Sequence, residues 1–458
     1  MSVVPDDVIA AAHIVPLSQA VEVNPKLDRS SLNDDLDVSF VPMAAVEALS
    51  GGIDVSTIRK YADVKKGYTH FRDGDILFAK VTPCMENGKM AIARMLVNSV
   101  GFGSTEFHVL RPRSGVDARY IYYFVSSQTF RKEASGHMTG AVGLRRVPSA
   151  FLEDQRIPLP DIEQQREIVA ELEKQFSRLD EAVANLKRVK ANLKRYKASV
   201  LKDAVEGRLV PTEAELAHRE GRSFEAGRQL LQRILEARRK EWKGKGQYKE
   251  LAPLHTENLG DLPSGWVWAA VEMLCEQIVD CPHSTARFQD DGFPCIDTTW
   301  MTAEGLVKER ARYVDQATFQ DRISRLAPRA GDIVFAREGT IGTAIMIPDQ
   351  MTPCLGQRVM LLRSSAGFSS GLLMHTLHSE VVKSQYRAQA LGSTVAHINV
   401  GDVKRFAIPV PPLKEQHRIL AEVDRRLSLI RGVEVEVDSN LTRAKSLRQT
   451  VLMKCFSY

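Results

Sequence analysis

The chain has 458 residues, of which 44% are hydrophobic and 26% are charged, and its formal net charge is +5. This length exceeds one compact core and predicts about three structural units at roughly 150 residues each. No apolar run reaches the roughly 18 residues of a membrane span, and the first residues lack the pattern of a secretion signal. We therefore expect a cytoplasmic protein that does not associate with a membrane.

The cysteines and the distribution of charge narrow the class further. The six cysteines lack paired spacing, which argues against a disulfide framework and against a zinc knuckle. The basic surplus falls on 162–206, 207–250 and 413–458, whereas 1–161 and 262–412 each carry a net charge of −1. Net charge alone therefore does not indicate a nucleic-acid-binding domain, and any such site must be a local patch.

Residues 1–157 predict a first segment of mixed α/β character. Short apolar runs bounded by turn residues, such as Ile76–Ala79 and Phe107–Leu110, predict strands. The amphipathic stretch Ala118–Ser127 predicts a helix. We expect an α/β fold with a curved sheet, and the strand order stays open.

Residues 158–206 predict a long helix that begins after a proline-rich entry. From Val169 onward, apolar residues recur at alternating steps of three and four, with interruptions at Lys190 and Lys197. About 40 such residues form a rod of roughly 60 Å. A rod of that length can hold two domains apart.

Residues 207–261 follow and are predicted to form a linker. Gly207 and Pro211 suit the end of the preceding helix, and Phe224–Trp242 predicts a further helix rich in Arg and Lys. Lys243–Gly246 indicates a flexible, solvated stretch. We expect a basic linker here rather than a dedicated binding site.

The remainder repeats the pattern of the first half. Residues 262–408 predict a second α/β segment, and 409–458 a second long helix whose apolar stripe is interrupted by Glu434 and Arg448. Two matching stripes in one chain favour pairing of the two helices with each other. The predicted elements of this α/β segment are strands at Ile333–Ala336 and Val359–Leu362 and a helix over Gly371–Gln389.

Three motifs recur in the same order at offsets of 257, 252 and 251 residues. The nearly constant offset indicates a duplicated architecture with insertions inside one half. The matched pairs are Gly74–Lys80 with Gly331–Arg337, His108–Arg111 with Met360–Arg363, and Ile157–Pro160 with Ile408–Pro411, the last pair followed by Gln165 and Gln416.

These motifs resemble the specificity subunits of type I restriction-modification systems over essentially the whole chain. Each motif alone is weak, but their order, duplication and alternation with heptad segments make the set specific. The first half departs from the pattern because it lacks the Gly-Trp pair found at 265–266. The segments that carry the resemblance are Gly74–Lys89, Gly103–Phe107, Pro158–Arg166, Ala204–Pro211, Leu262–Trp268, Gly331–Arg337 and Ile408–Gln416.

The resemblance implies a mixed α/β architecture with a pseudo-twofold internal repeat. Residues 1–157 and 262–408 would be two target-recognition domains, each reading one half of a split DNA target. Helices 158–206 and 409–458 would form an antiparallel coiled coil that fixes the unread spacer, with 207–261 as the basic linker between the halves. Such symmetry matches the local twofold symmetry of duplex DNA.

The resemblance also implies the partners and cofactors. Double-stranded DNA, two methyltransferase subunits and restriction subunits would bind this chain, which would direct adenine methylation and cleavage without catalysing either. The chain itself would hold no cofactor and no metal. Its partners would use S-adenosylmethionine, ATP and Mg²⁺.

Donors and acceptors on loops near the repeated strands are the candidates for DNA contact, because base readout needs such groups and phosphates attract Lys and Arg. The first domain offers Lys80, Thr82, Asn87, Lys89, Arg145 and Arg146, and the second offers Arg337, Thr340, Arg358 and His397.

The hypothesis that the chain is itself an enzyme has little support in the sequence. There is no Asn/Asp-Pro-Pro-aromatic motif of an amino-methyltransferase, no phosphate-binding loop and no nucleophile motif. Asp349 and Asp402 stand too far apart to indicate a nuclease, and Cys281, His283 and Cys295 lack a fourth zinc ligand. Two other functions stay open: a coiled-coil scaffold that binds only proteins, and a specificity chain that serves a fused methylase-nuclease.

Overall fold

The structure, a computed structural model, describes residues 13–27, 32–141, 143–242, 247–257, 259–282, 284–390 and 397–456. The chain divides into two units, one comprising residues 1–188 with 437–458 and the other residues 189–436. The segment Lys243–Gly246, predicted to be flexible, lies outside the described residues.

The first unit combines short strands and helices with parts of two long helices. Its strands are β1 (His13–Pro16), β2 (Val21–Val23), β3 (Asp37–Val41), β4 (Ile58–Lys60), β5 (Thr69–Arg72), β6 (Ile76–Ala79), β7 (Met90–Ile92), β8 (Val100–Gly103), β9 (Phe107–Pro112), β10 (Thr139–Ala141), β11 (Leu144–Arg146) and β12 (Arg156–Leu159). Its helices are α1 (Leu17–Ala20), α2 (Tyr61–Val64), α3 (Ala118–Ser126), α4 (Gln128–Gly136), α5 (Ser149–Asp154) and the beginning of α6 (Ile162–Val205), with 3₁₀ turns at Met43–Ala45 and Val97–Ser99.

The second unit has the same kinds of element. Its first helices are α7 (Glu213–Glu220) and α8 (Gly227–Lys240). Its strands are β13 (Val267–Ala270), β14 (Cys275–Asp280), β15 (Phe288–Gln289), β16 (Phe293–Ile296), β17 (Met301–Thr302), β18 (Gly305–Leu306), β19 (Tyr313–Val314), β20 (Ile333–Ala336), β21 (Ala344–Met346), β22 (Cys354–Leu355), β23 (Val359–Ser364) and β24 (Ala407–Val410). Its later helices are α9 (Val271–Leu274), α10 (Gln316–Ile323), α11 (Ser370–Leu377), α12 (Glu380–Ala390), α13 (Val400–Arg405) and the beginning of α14 (Leu413–Phe456), with a 3₁₀ turn at Lys308–Arg310.

The main sheets of the two units share one strand order. The first unit orders its sheet β2-β9-β6-β7 and the second orders its sheet β14-β23-β20-β21, with antiparallel neighbours in both. The register also matches, because Ile76 lies opposite Leu110 and Ile333 opposite Leu362. The strand pair β1 and β12 likewise corresponds to β13 and β24. The structure therefore confirms the internal repeat and the mixed α/β class.

A second sheet in each unit contains one parallel strand pair. The order is β4-β3-β8-β5 in the first unit and β15-β19-β16-β22 in the second. Strands β3 and β8 run parallel, as do β16 and β22, and each pair has an antiparallel neighbour in β4 or β19. Among the residues that the structure describes, strands β5 and β15 have no counterpart in the other unit's sheet, so this sheet is where the repeat diverges.

The repeated Gly-Asp motif is explained by a buried ion pair. Arg111 donates from Nε and Nη2 to the two carboxylate oxygens of Asp75 at 2.8 and 2.7 Å. Arg363 contacts Asp332 at the same two distances. The glycine before each aspartate has a positive φ, which suits the tight turn that enters the strand. The first two repeated motifs are therefore partners across neighbouring strands.

The repeated glutamines join each long helix to its unit. Gln165 Oε1 accepts from Asp117 N at 2.9 Å, and its Nε2 donates to Pro160 O at 2.8 Å. Gln416 makes the matching bonds to Ser369 N and to Pro411 O, both at 3.0 Å. Both glutamines are buried, so they satisfy backbone groups that water does not reach.

The two long helices pair antiparallel, as the contacts within each unit show. In the first unit, Phe176 of α6 shares a hydrophobic core with Val451 and Phe456 near the end of α14. In the second unit, Ala204 near the end of α6 shares a core with Val423 of α14. The heptad prediction for both helices is thus confirmed. Among the described residues, no helix combines the length and apolar character needed to cross a membrane.

The segment predicted as a basic linker is packed against the second unit. Leu230 and Ile234 of α8 lie in the core of that unit, and the Glu213 carboxylate accepts from Arg222 and Arg418 at 2.6 and 2.7 Å. The many basic residues of α8 favoured the prediction of a solvated linker, although the helix also has an apolar face. Arg228, Arg233, Arg239 and Lys240 are exposed, whereas Arg238 donates to Glu272 O and Cys275 O. The spacing of four residues between Leu230 and Ile234 gives a helical face that packs inward.

One predicted helix is broken in two. The expected helix over Gly371–Gln389 ends at Leu377, and a new helix begins at Glu380. Ser379 Oγ donates to Thr376 O at 2.6 Å, while Ser379 O accepts from Lys383 N in the following helix. A serine that bonds nearby backbone favours a helix boundary over a helix interior. The prediction of one continuous helix was wrong for that reason.

We expect the stability of the second unit to fall as the pH drops from 6.5 toward 4. Burial, aided by the charges of His375 and Lys383, lowers the pKa of His378 from 6.5 to about 4. Its Nε2 accepts from Ala344 N at 2.9 Å, which requires a neutral ring. Protons bind the unfolded chain first as pH falls, so up to about 3 kcal/mol is lost across this window.

Urea unfolding at a series of pH values measures this effect. His378→Gln keeps an acceptor for Ala344 but cannot titrate, so its unfolding free energy is expected to vary less between pH 6.5 and 4. His218→Gln, at an exposed helix position, serves as the matched control. Equal pH dependence in wild type and His378→Gln would contradict the assignment.

Candidate nucleic-acid interface

The candidate residues of the first unit come together on three loops, which we call the first rim. The rim consists of residues 80–89 after β6, residues 104–106 before β9, and the hairpin of β10 and β11. Lys80 N donates to Glu106 O at 2.9 Å, and Lys80 O accepts from Val147 N at 2.9 Å. The end of a buried central strand thus positions all three loops.

Thr82 fastens the hairpin to the loop after β6. Its hydroxyl donates to Arg145 O at 3.0 Å and accepts from Arg145 N at 3.1 Å. The Arg145 guanidinium is exposed and has no partner among the residues that the structure describes. Thr82 therefore supports the backbone, while Arg145 offers a free cation on the surface.

Arg146 is engaged in an ion pair instead. Its Nε and Nη2 donate to the two carboxylate oxygens of Glu106 at 2.8 and 2.7 Å. The hydrogen bond from Arg146 holds the pKa of Glu106 below its ordinary value. Burial lowers the pKa of His108, whose Nε2 lies 2.8 Å from Val147 O at the base of the hairpin.

Asn87 and Lys89 lie on the turn that closes the same loop. The Asn87 side chain is exposed and makes no hydrogen bond to any described residue. Lys89 Nζ donates to Met43 O at 3.0 Å. Gly88 between them has φ +71°, and a Cβ there would lie 2.6 Å from Leu49. The turn needs this glycine, and it leaves the Asn87 amide directed to solvent as a potential base contact.

The candidate residues of the second unit form an equivalent second rim, made of residues 337–343, 356–358 and 397–398. Arg337 N donates to Arg358 O at 2.9 Å, and Arg337 O accepts from Ile398 N at 2.9 Å. These bonds repeat those of Lys80. The isolated bridge between Glu338 and His397 repeats the one between Val81 and Arg146.

The side chain of Arg337 is buried, whereas a side chain that contacts a DNA base has to be exposed. It is 7% exposed, and it donates to Asp280 Oδ1 at 2.7 Å and to Ile398 O at 3.0 Å. This geometry suits support of the second rim rather than contact with a base. Thr340 and Arg358 are exposed, and the Arg358 side chain, 58% exposed, has its Nε 3.6 Å from Glu338.

A cavity of about 180 Å³ adjoins the second rim, and apart from Arg358 the residues that line it were not predicted from the sequence. Arg312 and Phe288 belong to it, together with Gln357 and Arg358 of the rim. The internal repeat could not have indicated Arg312 and Phe288, because both residues lie outside the three repeated motifs.

Metal binding finds no support in the described part of the chain, where no group of three or more His, Cys, Asp or Glu side chains could hold an ion. His283, one member of the weak zinc candidate, lies outside the described residues. Cys281 and Cys295 are both buried.

Comparison with known proteins identifies the family to which the chain belongs. The family model for the type I restriction modification DNA specificity domain matches residues 15–195 and 298–436. The EcoAI specificity subunit of Escherichia coli is 28% identical over 461 aligned positions, which cover 89% of this chain and 76% of that protein. The chain belongs to the type I restriction-modification DNA specificity family.

Solved structures support the fold. The HsdS subunit of Thermoanaerobacter tengcongensis matches with a TM-score of 0.58 at 19% identity, covering 99% of this chain and 97% of that one. A second match is a chain from a structural study of complex assembly and conformational transition of the type I R-M system. It has a TM-score of 0.66 at 20% identity, and the match covers 97% of each chain.

The family description names DNA specificity, and the curated relatives are named as specificity subunits of type I restriction enzymes. Membership of this family makes the chain a DNA-recognition subunit rather than a catalytic one.

Proposed function

We propose that each unit reads one half of a split DNA target through its rim. The observation that supports this proposal is that the two rims share the same backbone hydrogen bonds but present different side chains. Lys80, Arg146 and Glu106 of the first rim correspond to Arg337, His397 and Arg358 of the second. Equal scaffolds with unequal side chains suit two readers of different base sequences.

The paired helices set the spacer in this proposal and carry the docking surface for the methyltransferase subunits. Apolar side chains on α14 remain exposed at Leu429 and Val433, which lie four residues apart on one helical face. Tyr196 of α6 is also exposed, and its hydroxyl interacts with Arg426 on that face. Exposed apolar side chains together with Tyr and Arg are typical of protein interfaces.

The proposed partners supply the chemistry. Two methyltransferase subunits would bring S-adenosylmethionine and methylate adenine, and restriction subunits would bring ATP- and Mg²⁺-dependent cleavage in the cytoplasm. The chain itself would bind DNA and these subunits without a cofactor of its own. The lysines and arginines of the rims would neutralise phosphates around the bases being read.

The salt dependence of DNA affinity distinguishes a DNA-recognition subunit from a scaffold that binds only proteins. The chain in complex with its methyltransferase subunits is titrated with target duplex at about 50 and 200 mM salt. Six or more phosphate contacts would lower affinity by about a thousandfold over that range. Affinity that is absent or indifferent to salt, with methyltransferase present, would favour the scaffold.

Substitution of Asn87 tests the assignment of the first rim. Asn87→Ala removes an exposed amide that can bond adenine through two contacts, so recognition at one position of one half-site is expected to relax. The cost is about 1 to 3 kcal/mol of discrimination. Methylome sequencing of cells that carry the complex measures it.

A nearby substitution provides the control for Asn87→Ala. Lys132→Ala removes a charge from the exposed face of α4 and is expected to leave the methylated motif unchanged. If Asn87→Ala cells also methylate the unchanged motif at full efficiency, Asn87 does not read a base.

A further inference from the structure

The cavity beside the second rim holds an arginine whose geometry is fixed before any ligand arrives. Arg312 Nη1 donates to Asp297 Oδ2 at 3.0 Å. The Arg312 guanidinium carbon lies 4.4 Å from the centroid of the Phe288 ring, above its face. One hydrogen bond and one cation–π contact therefore hold the guanidinium in place.

The carboxylate that holds Arg312 is itself immobilised. Asp297 Oδ1 accepts from Thr299 N at 3.0 Å and from Trp300 N at 3.2 Å, and the residue is buried. Asp297 directly follows β16, so the support comes from the end of a core strand. A guanidinium held this way loses less side-chain entropy when it binds than a free surface arginine does.

Part of the guanidinium remains available. Nε and Nη2 of Arg312 have no hydrogen-bond partner in the described part of the chain, and the side chain is 36% exposed. Phe288 beneath it is 38% exposed. Two donors at fixed spacing match the O6 and N7 acceptors of guanine in the major groove, and this pairing is the commonest specific arginine contact to DNA.

The position of Arg312 also fits a role in specificity. Gln357 and Arg358 of the second rim line the same cavity, so Arg312 lies at the surface already proposed to face DNA. Arg358 is exposed and can neutralise a phosphate next to the base.

The first unit carries a different residue at this place. Cys295 N donates to Arg312 O, and Phe40 N donates to Thr57 O in the corresponding strand pair. The strand registers place Arg312 and Thr57 at equivalent positions, beside the parallel pairs β16–β22 and β3–β8. Threonine cannot make the two-donor contact to guanine, so the two units differ here in the way that two half-sites require.

We propose that Arg312, held by Asp297 and Phe288, reads a guanine in the half-site of the second unit. The inference rests on the proposed function that each unit reads one half of the target. It adds a base-reading residue and the chemical identity of its ligand.

Methylome sequencing of cells that carry the complete complex tests this directly. Arg312→Ala is expected to relax the requirement for guanine at one position of one half-site and to leave the other half-site unchanged. Arg312→Lys keeps the positive charge and a bond to Asp297 but loses the paired donors, so it is expected to relax the guanine requirement in the same way as Arg312→Ala. Arg325→Ala, at an exposed position after α10, is the matched control and should change nothing.

Duplexes with 7-deazaguanine, which lacks the N7 acceptor, distinguish base contact from a structural role of Arg312. If Arg312 only supports the fold, its substitution does not change how DNA affinity responds to 7-deazaguanine. Replacing N7 at the guanine in question is expected to weaken binding of the wild-type complex by about tenfold or more and to leave the Arg312→Ala complex unaffected. Phe288→Leu, at the edge of the fold, is expected to show an intermediate loss because the plane of Arg312 is no longer fixed. This variant serves if Arg312→Ala does not fold.

Several outcomes would overturn the proposal. These are a motif whose relevant half-site contains no guanine, an unchanged motif for Arg312→Ala, and equal sensitivity of both complexes to 7-deazaguanine. Relaxation in the same half-site that responds to Asn87→Ala would also reject the assignment to the second unit. Failure of the proposed function itself looks different, because the wild-type complex would then methylate a continuous motif or none.

Discussion

Deleting one heptad from each long helix is expected to shorten the unread spacer of the DNA target and to leave both half-site sequences unchanged. Removing residues 183–189 from α6 and 436–442 from α14 preserves the repeat of seven while shortening each helix by about 10 Å. At about 3.4 Å per base pair, this corresponds to about three base pairs. Methylome sequencing reads both the half-sites and their separation.

The deletion has a sharp control. Removing the heptad from α6 alone leaves the two antiparallel stripes unequal in length, so the single deletion is expected to abolish methylation instead of shifting the motif. Duplicating the heptad in both helices should lengthen the spacer by the same amount. A double deletion that methylates the original motif with its original spacer would reject the role of the helices.

Asp332→Ala is expected to destabilise the second unit by about 3 to 5 kcal/mol. The substitution leaves the Arg363 guanidinium, 11% exposed, without the carboxylate that accepts two of its hydrogen bonds. An uncompensated buried charge costs far more than a lost surface pair. Urea unfolding followed by fluorescence measures the change.

Two further variants distinguish this mechanism from a general effect of mutation. Replacing both partners, as in Asp332→Leu with Arg363→Met, removes the unpaired charge and should recover much of the stability. Glu380→Ala breaks an exposed pair with Arg387 and should cost less than about 1 kcal/mol. A loss below 1 kcal/mol for Asp332→Ala would show that the pair does not support the sheet.

The repeat could be predicted from the sequence, but the reason for it could not. Gly-Asp and the later arginine recur at similar offsets, yet their pairing depends on which strands are neighbours. Only the strand order reveals that Asp75 and Arg111 meet across β6 and β9. Heptads were predictable because a helical stripe is a local pattern, whereas strand order is set by distant parts of the chain.

The site residues show the same limit. Lys80 and Thr82 were chosen because they follow a repeated strand, but only the fold shows that Arg145 lies against Thr82. Arg337 was predicted as a reader, but its burial depends on Asp280 of a strand 57 residues earlier. Arg312 was missed because its support comes from a stacking contact and from a carboxylate 15 residues away. Neither relation has a local signature.

The closing of the first core by Val451 and Phe456 has a consequence for synthesis of the protein. These residues leave the ribosome after every residue of the second unit, although they pack against Tyr120 and Phe124 of the first. The core of the first unit can therefore be completed only after the whole second unit has been translated. A circularly permuted gene that encodes 437–456 ahead of the first unit would let the two units fold in the order in which they emerge.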